Sequence, residues 1–146
     1  MKNIKFIAIQ PETPILTESP QKEICQSMRQ LYARVGFHKP WIGYLVHNDS
    51  NHCVGTCGYK SAPQSGRVEI AYFTFPQFEG LGVATVMTRH LVSLALNTDP
   101  KLKVFAQTLP EKNASTSVLN KNDFKYIGEV IHPEDGLVWE WEHSPE

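Results

Sequence analysis

E-I-A-Y-F-T-F-P-Q-F-E-G-L-G-V-A-T, from Glu69 to Thr85, decides how this chain is read. The run from Arg67 to Phe75 is rich in β-branched and aromatic residues, which suit a pleated strand. A turn from Pro76 to Gly82 follows, with glycines at positions 80 and 82. Beyond it Val83, Met87, Leu91, Leu94 and Ala95 recur at helical spacing, so about fifteen residues carry one apolar face. A strand therefore passes through glycine directly into a helix. Such a helix start offers unpaired N–H groups and the positive end of the dipole. The glycines let the backbone approach an anion without a Cβ in the way.

Three ligand classes use this geometry, and the residues separate them. A phosphate loop needs Lys and then Ser or Thr after its glycines, and neither is present. A dinucleotide site matches loosely, with Asp99 about twenty residues on. But Asp99 precedes the next strand instead of ending it, and the three preceding strands lack helical crossovers. What remains is the pyrophosphate of coenzyme A, or a glycine turn that holds nothing.

Outward from this stretch, Lys2 to Gln10 reads as a first strand ending at Pro11, with Pro14 and Pro20 in the loop that follows. Ser19 or a neighbour caps a helix from about Gln21 to Arg34, with Ile24, Met28, Leu31 and Tyr32 as its buried stripe. Trp41 to His47 and His52 to Lys60 form an antiparallel hairpin, and a turn at Pro63, Ser65 and Gly66 leads to the strand at Arg67. After the central helix, Lys101 to Leu109 is a strand and Ala114 to Asn122 a short helix. A closing hairpin joins Lys125–His132 to Leu137–His143. The expected fold is α+β: a mixed, mostly antiparallel sheet of six to seven strands with helices on both faces. Only the strand-helix-strand unit around the glycines should be parallel, and its two strands should splay at their carboxyl ends.

Bulk properties narrow the class. With 146 residues and 41% hydrophobic content, one domain spanning residues 1–146 is expected. A net charge of −1 gives no global field toward nucleic acid or anionic membrane. No apolar run of about 18 residues occurs, and Met1 to Gln10 alternates unlike a signal peptide, so a cytoplasmic protein is expected. Cys53 and Cys57 fall on one strand face about 13 Å apart, too far for a disulfide or a shared metal. Cys25 lies alone on a helix. The six histidines show no ligand spacing, so no metal is expected.

The glycine stretch and a second block, L-P-E-K-N-A-S-T-S-V-L-N-K-N-D-F (Leu109 to Phe124), together resemble the GNAT superfamily of N-acetyltransferases. The pattern is similar to the branch that acetylates amino termini of ribosomal proteins, with family motif A falling on Glu79, Gly82 and Ala84. The resemblance runs from Trp41 to the end. It implies acetyl-CoA as acyl donor, bound by Phe73, Thr74, Phe75, Gly80, Leu81, Gly82, Val83, Ala84, Thr85, Asn113 and Ser115. It implies a primary amine as acceptor: a small amine, a polyamine or a peptide amino terminus. It leaves the protein a monomer or a homodimer. Four positions depart from the pattern. Glu79 replaces Gln or Arg, Lys112 takes the Asn position, Asp123 replaces Gly, and Leu119 stands where many relatives carry Tyr.

Acetyl transfer to an amine sets three demands. The amine must lose a proton, and with a reference pKa of about 10.4 for Lys it profits from a base. Glu69 is the candidate, against the alternatives of a solvated strand edge or an ion pair with Arg67; burial decides. The oxyanion needs a backbone N–H near Phe73, Thr74 or Phe75. The thiolate, with a thiol pKa of about 8.5, needs little acid help, from Ser115 or from water. Ser115 also reads as a helix N-cap. Tyr32, Phe37, His38 and Trp41 match acceptor positions or pack as core, and Trp139 and Trp141 read as core. Lys101, Lys103 and Lys112 steer phosphates or simply face solvent. The rival to an enzyme is a silent acetyl-CoA-binding sensor.

Overall fold

The computed structural model describes residues 4–12 and 18–145. Lys2 and Pro14, assigned above to the first strand and its loop, lie outside the described residues. Seven strands and three helices alternate in the expected order: β1 (Lys5–Ala8), α1 (Gln21–Val35), β2 (Gly43–His47), β3 (Cys53–Tyr59), β4 (Arg67–Thr74), α2 (Val83–Thr98), β5 (Lys103–Thr108), α3 (Ala114–Lys121), β6 (Phe124–His132) and β7 (Gly136–His143). A short 3-10 turn, Pro76–Phe78, stiffens the start of the glycine loop. One sheet holds all the strands in the order β1-β2-β3-β4-β5-β7-β6.

Only β4 and β5 run parallel, and they pair for just three residues: Arg67, Val68 and Glu69 against Lys103, Val104 and Phe105. Beyond Glu69 β4 stays with β3 as far as Thr74, while β5 stays with β7 as far as Thr108. The sheet is therefore open between Ile70–Thr74 and Ala106–Thr108, as the splayed pair requires.

Helices cover both faces. On one face Tyr32 of α1 donates its hydroxyl to the Ile9 carbonyl and accepts the Gly43 N–H, fixing α1 across β1 and β2. On the other, the Tyr59 hydroxyl donates to the Leu91 carbonyl at 2.5 Å, tying β3 to α2. Met87, Leu91 and Ala95 of α2 are fully buried against Val68, Ile70 and Val104. Apolar area of this kind, at about 25 cal/mol per Å², drives the docking.

Three local readings are corrected. The N-cap of α1 is Pro20, which gives no side-chain cap; Ser19 instead donates to the Glu23 carboxylate. The helix buries Cys25 and Tyr32 most deeply, with Ile24, Met28 and Leu31 half-buried. Cys53 and Cys57 do not share a face. A register shift between Val46 and His47 adds one residue to β3 and turns Cys53 toward Cys25 and Leu45, while Cys57 joins the main core.

Candidate active site

The start of α2 leaves its N–H groups available. Gly82 is the N-cap in the left-handed region (φ +82°) and supplies no side-chain cap, and Gly80 has φ +79°. A Cβ at either glycine would meet nothing within 4 Å, so both face open space. That space is a cavity of about 550 Å³. Phe73, Thr74, Gly80, Gly82, Val83, Ala84, Thr85 and Ser115, all sequence candidates, line it. Thr74 Oγ1 is buried in this wall without a hydrogen-bond partner. Unpaired N–H groups, absent Cβ atoms and an orphaned hydroxyl fit an anionic, oxygen-rich ligand such as a pyrophosphate.

Other candidates stand elsewhere. Leu81 is 56% exposed and Phe75 3%, and neither lines the cavity. The Phe75 N–H is spent on the Val54 carbonyl. Lys101, Lys103 and Lys112 lie away from the cavity, and the cation on its wall is Lys121, from the last turn of α3. Glu79 also lines the cavity but is exposed, so its carboxylate stays hydrated.

Strand pairing selects the free backbone donors. Lys60 N–H bonds the Glu69 carbonyl and Phe75 N–H bonds Val54, so alternation directs Ala71 and Phe73 toward β3 as well. The N–H groups of Tyr72 and Thr74 point instead into the gap β5 has left. Of the three oxyanion donors expected, Thr74 alone has this direction, and Tyr72 adds a second.

A further cavity of about 240 Å³ fills the gap, with Ala71, Tyr72, Gln107, Asn113 and Ser115 on its walls. Asn113 stands here, not at the glycines. It caps α3: its Oδ1 accepts the Thr116 N–H at 3.2 Å, and Thr116 Oγ1 accepts the Asn113 N–H at 3.0 Å. Ser115 is therefore not the N-cap. It sits inside the first turn, and its carbonyl accepts the Tyr72 hydroxyl at 3.2 Å. Burial pushes the Tyr72 phenol up to about 12, against the opposing pull of hydrogen bonds with Ser115 and Thr88. Leu119 is fully buried in the core.

A third cavity, about 400 Å³, opens on the opposite face between α1 and β2–β4. Tyr72 lines all three cavities, so the glycine side, the gap and the α1 side border one residue of β4. Glu69 lies at the foot of the gap with a side chain 18% exposed, 3.3 Å from Lys60 Nζ. The contact is an ion pair without hydrogen-bond geometry, and Glu69 Oε2 is left buried and unbonded. Arg67, the partner considered above, instead binds Glu140 at 2.6 Å and stacks on Phe105. Tyr32, Phe37 and Trp41 do not line the α1-side cavity: Phe37 packs on Tyr32 and Trp41 on Tyr59. Trp141 is buried, donating to Thr108. Among the described residues no group of three His, Cys, Asp or Glu could hold a metal ion, and no helix is long and apolar enough to cross a membrane.

Comparison with known proteins agrees with this geometry. The family model described as an acetyltransferase (GNAT) domain matches residues 5–125. No curated protein matches the chain in sequence. Among solved structures, a spermidine N-acetyltransferase SpeG chimera of Vibrio cholerae and hSSAT is similar over 95% of this chain and 93% of its own, with TM-score 0.69 and 13% identity. The aminoglycoside acetyltransferase AAC(6')-Ib in complex with coenzyme A and kanamycin is similar over 69% of this chain and 64% of its own, with TM-score 0.59 and 20% identity. At these identities the likeness is one of fold.

Proposed function

The chain belongs to the GNAT acetyltransferase family, and we propose that it transfers the acetyl group of acetyl-CoA directly to a primary amine within a ternary complex. The observation that carries this reading is the gap beyond Glu69, flanked by a glycine-lined cavity and by a separate cavity under α1 that share Tyr72 as a wall. A donor and an acceptor can thus enter from opposite sides and meet in the sheet.

Acetyl-CoA supplies an activated acyl group on a thiolate leaving group. Gly80, Gly82 and the first N–H groups of α2 hold the pyrophosphate, with Lys121 as the cation on the same cavity wall. The N–H groups of Tyr72 and Thr74 polarise the acetyl carbonyl and stabilise the charge its oxygen gains. Glu69 faces the acceptor side, and its Oε2, ion-paired with Lys60 but holding no hydrogen bond, takes the ammonium proton that must leave before attack. Tyr72 faces the other side. Its phenol, held protonated at neutral pH, turns its single O–H from the Ser115 carbonyl to the departing sulfur when the donor is bound. Base and acid thus stand on opposite faces of one strand. The three cysteines are free thiols, in keeping with a reducing, cytoplasmic setting.

A silent acetyl-CoA-binding module is the rival, drawing on the Glu79 carboxylate and on Leu119 lying in the core. Mass spectrometry of an amine and peptide panel incubated with protein and acetyl-CoA separates the two. A product 42 Da heavier with release of CoA is expected, with about 42 Da being the mass of an acetyl group replacing hydrogen. Tight acetyl-CoA binding without any acetylated product would favour the silent module.

A further inference from the structure

We infer that the acceptor is an apolar primary amine carrying a carboxylate, the class to which apolar amino acids belong, and not a polyamine or aminosugar. The inference rests on the transferase reading above and concerns the α1-side cavity. Met28 and Leu31 of α1 and Phe73 of β4 supply its apolar side chains, while Tyr59 and Tyr72, also on its wall, send their hydroxyls to the other face. Gly43 and Gly58 keep the floor low: a side chain at Gly43 would run into Met28, and one at Gly58 into the Ile42 backbone. The space is therefore shaped for an apolar body.

Its charged groups are two cations, Arg34 and Lys60; no carboxylate lines it. Lys60 is engaged by Glu69. Arg34 lies exposed in the last turn of α1 and makes no hydrogen bond or ion pair among the described residues. A polyamine loses one proton on transfer, and its remaining ammonium groups would face Arg34 with no unpaired carboxylate on the walls to receive them. Like charges in a partly desolvated site repel more strongly than in water. A carboxylate on the acceptor gives Arg34 the planar, two-oxygen partner that a guanidinium suits best. The spermidine and kanamycin named for the similar structures are polycations, so this cavity departs from them in charge.

The test is steady-state kinetics with acetyl-CoA and six acceptors: phenylalanine, leucine, their two amides, spermidine and kanamycin. The acids should exceed spermidine and kanamycin in kcat/KM by about tenfold or more, and the amides should show KM values raised about three- to tenfold, as a rim-exposed charge pair allows. Arg34→Ala should raise KM for the acids to that of the amides with little change in kcat. Arg34→Glu should move preference toward spermidine. A preference of the wild type for spermidine or kanamycin overturns the inference and leaves the transferase reading standing. Equal KM for acids and amides also overturns it, in favour of a peptide end. No turnover of any amine, with acetyl-CoA bound, overturns the transferase reading itself.

Discussion

The two cavities that meet at Tyr72 are built from different materials. On the α2 side the walls are largely backbone: Gly80 and Gly82 in the left-handed region, the uncapped start of α2, and the strand edge that β5 abandons after Glu69. On the α1 side the walls carry side chains from α1, β3 and β4 over the low floor at Gly43 and Gly58, with Arg34 and Lys60 as the charges. A backbone cradle accepts any ligand with the same pyrophosphate, so it belongs to the fold. A side-chain pocket changes with each substitution, so it belongs to the individual protein.

Substitutions on the two sides should therefore fail in different ways. The largest effect is expected at Glu69. Glu69→Gln keeps the side-chain shape and acetyl-CoA affinity but should lower kcat by about 10² or more. The loss should shrink as pH rises, because more acceptor is already neutral without help. A pH–rate profile of both proteins on the best amine tests this, and equal rates at pH 7 would remove Glu69 from the chemistry.

Tyr72 stands between the cavities and should behave as neither extreme. Tyr72→Phe removes the hydroxyl bonded to Ser115 and should cost about tenfold in kcat, since a thiolate of pKa about 8.5 needs limited help. The melting-temperature shift caused by acetyl-CoA should persist. A variant that loses the shift instead would make Tyr72 a cofactor-binding residue.

The smallest effect comes from a site outside both cavities. His90 of α2 stacks on Phe6 at 3.7 Å between ring centroids, and burial lowers its pKa below the usual 6.5. The unfolded chain then takes a proton that the folded chain refuses, so stability falls as pH drops from about 6.5 through the folded-state value. His90→Phe keeps the stack and removes this titration. Its melting temperature should fall about 1–3 °C less than that of wild type between pH 7 and pH 5. His143, lowered by burial in the same way, remains as common background.

The same division explains what was legible in the sequence. Glycines, a helix start and an apolar strand are local signals, so residues 69–85 gave both the fold and the α2-side cavity. The α1-side pocket draws on residues 27–34, 43, 56–60 and 71–73, which no local period connects. Lys60 was within reach, because counting back from the Pro63–Gly66 turn sets it across from Glu69. The capping box was too: Asn113 followed by Thr116 three residues later outranks Ser115 as an N-cap signal. Tyr72 and Lys121 were not, since their place depends on how α3 docks beside β4. The added residue that turns Cys53 over was equally hidden, as a bulge leaves no mark in an alternating run.

The central claim is that the glycine turn is a cofactor cradle. Acetyl-CoA titrated against the melting temperature tests it most directly, for wild type and for Gly82→Val. Val at a position with φ +82° strains the turn, and its side chain enters the open space before α2 without striking the fold. Wild type should gain roughly 5–10 °C at a hundredfold excess over Kd. The variant should remain folded and show no shift. A wild type that does not respond to acetyl-CoA at millimolar concentration, or a Gly82→Val protein that responds equally, would contradict the account.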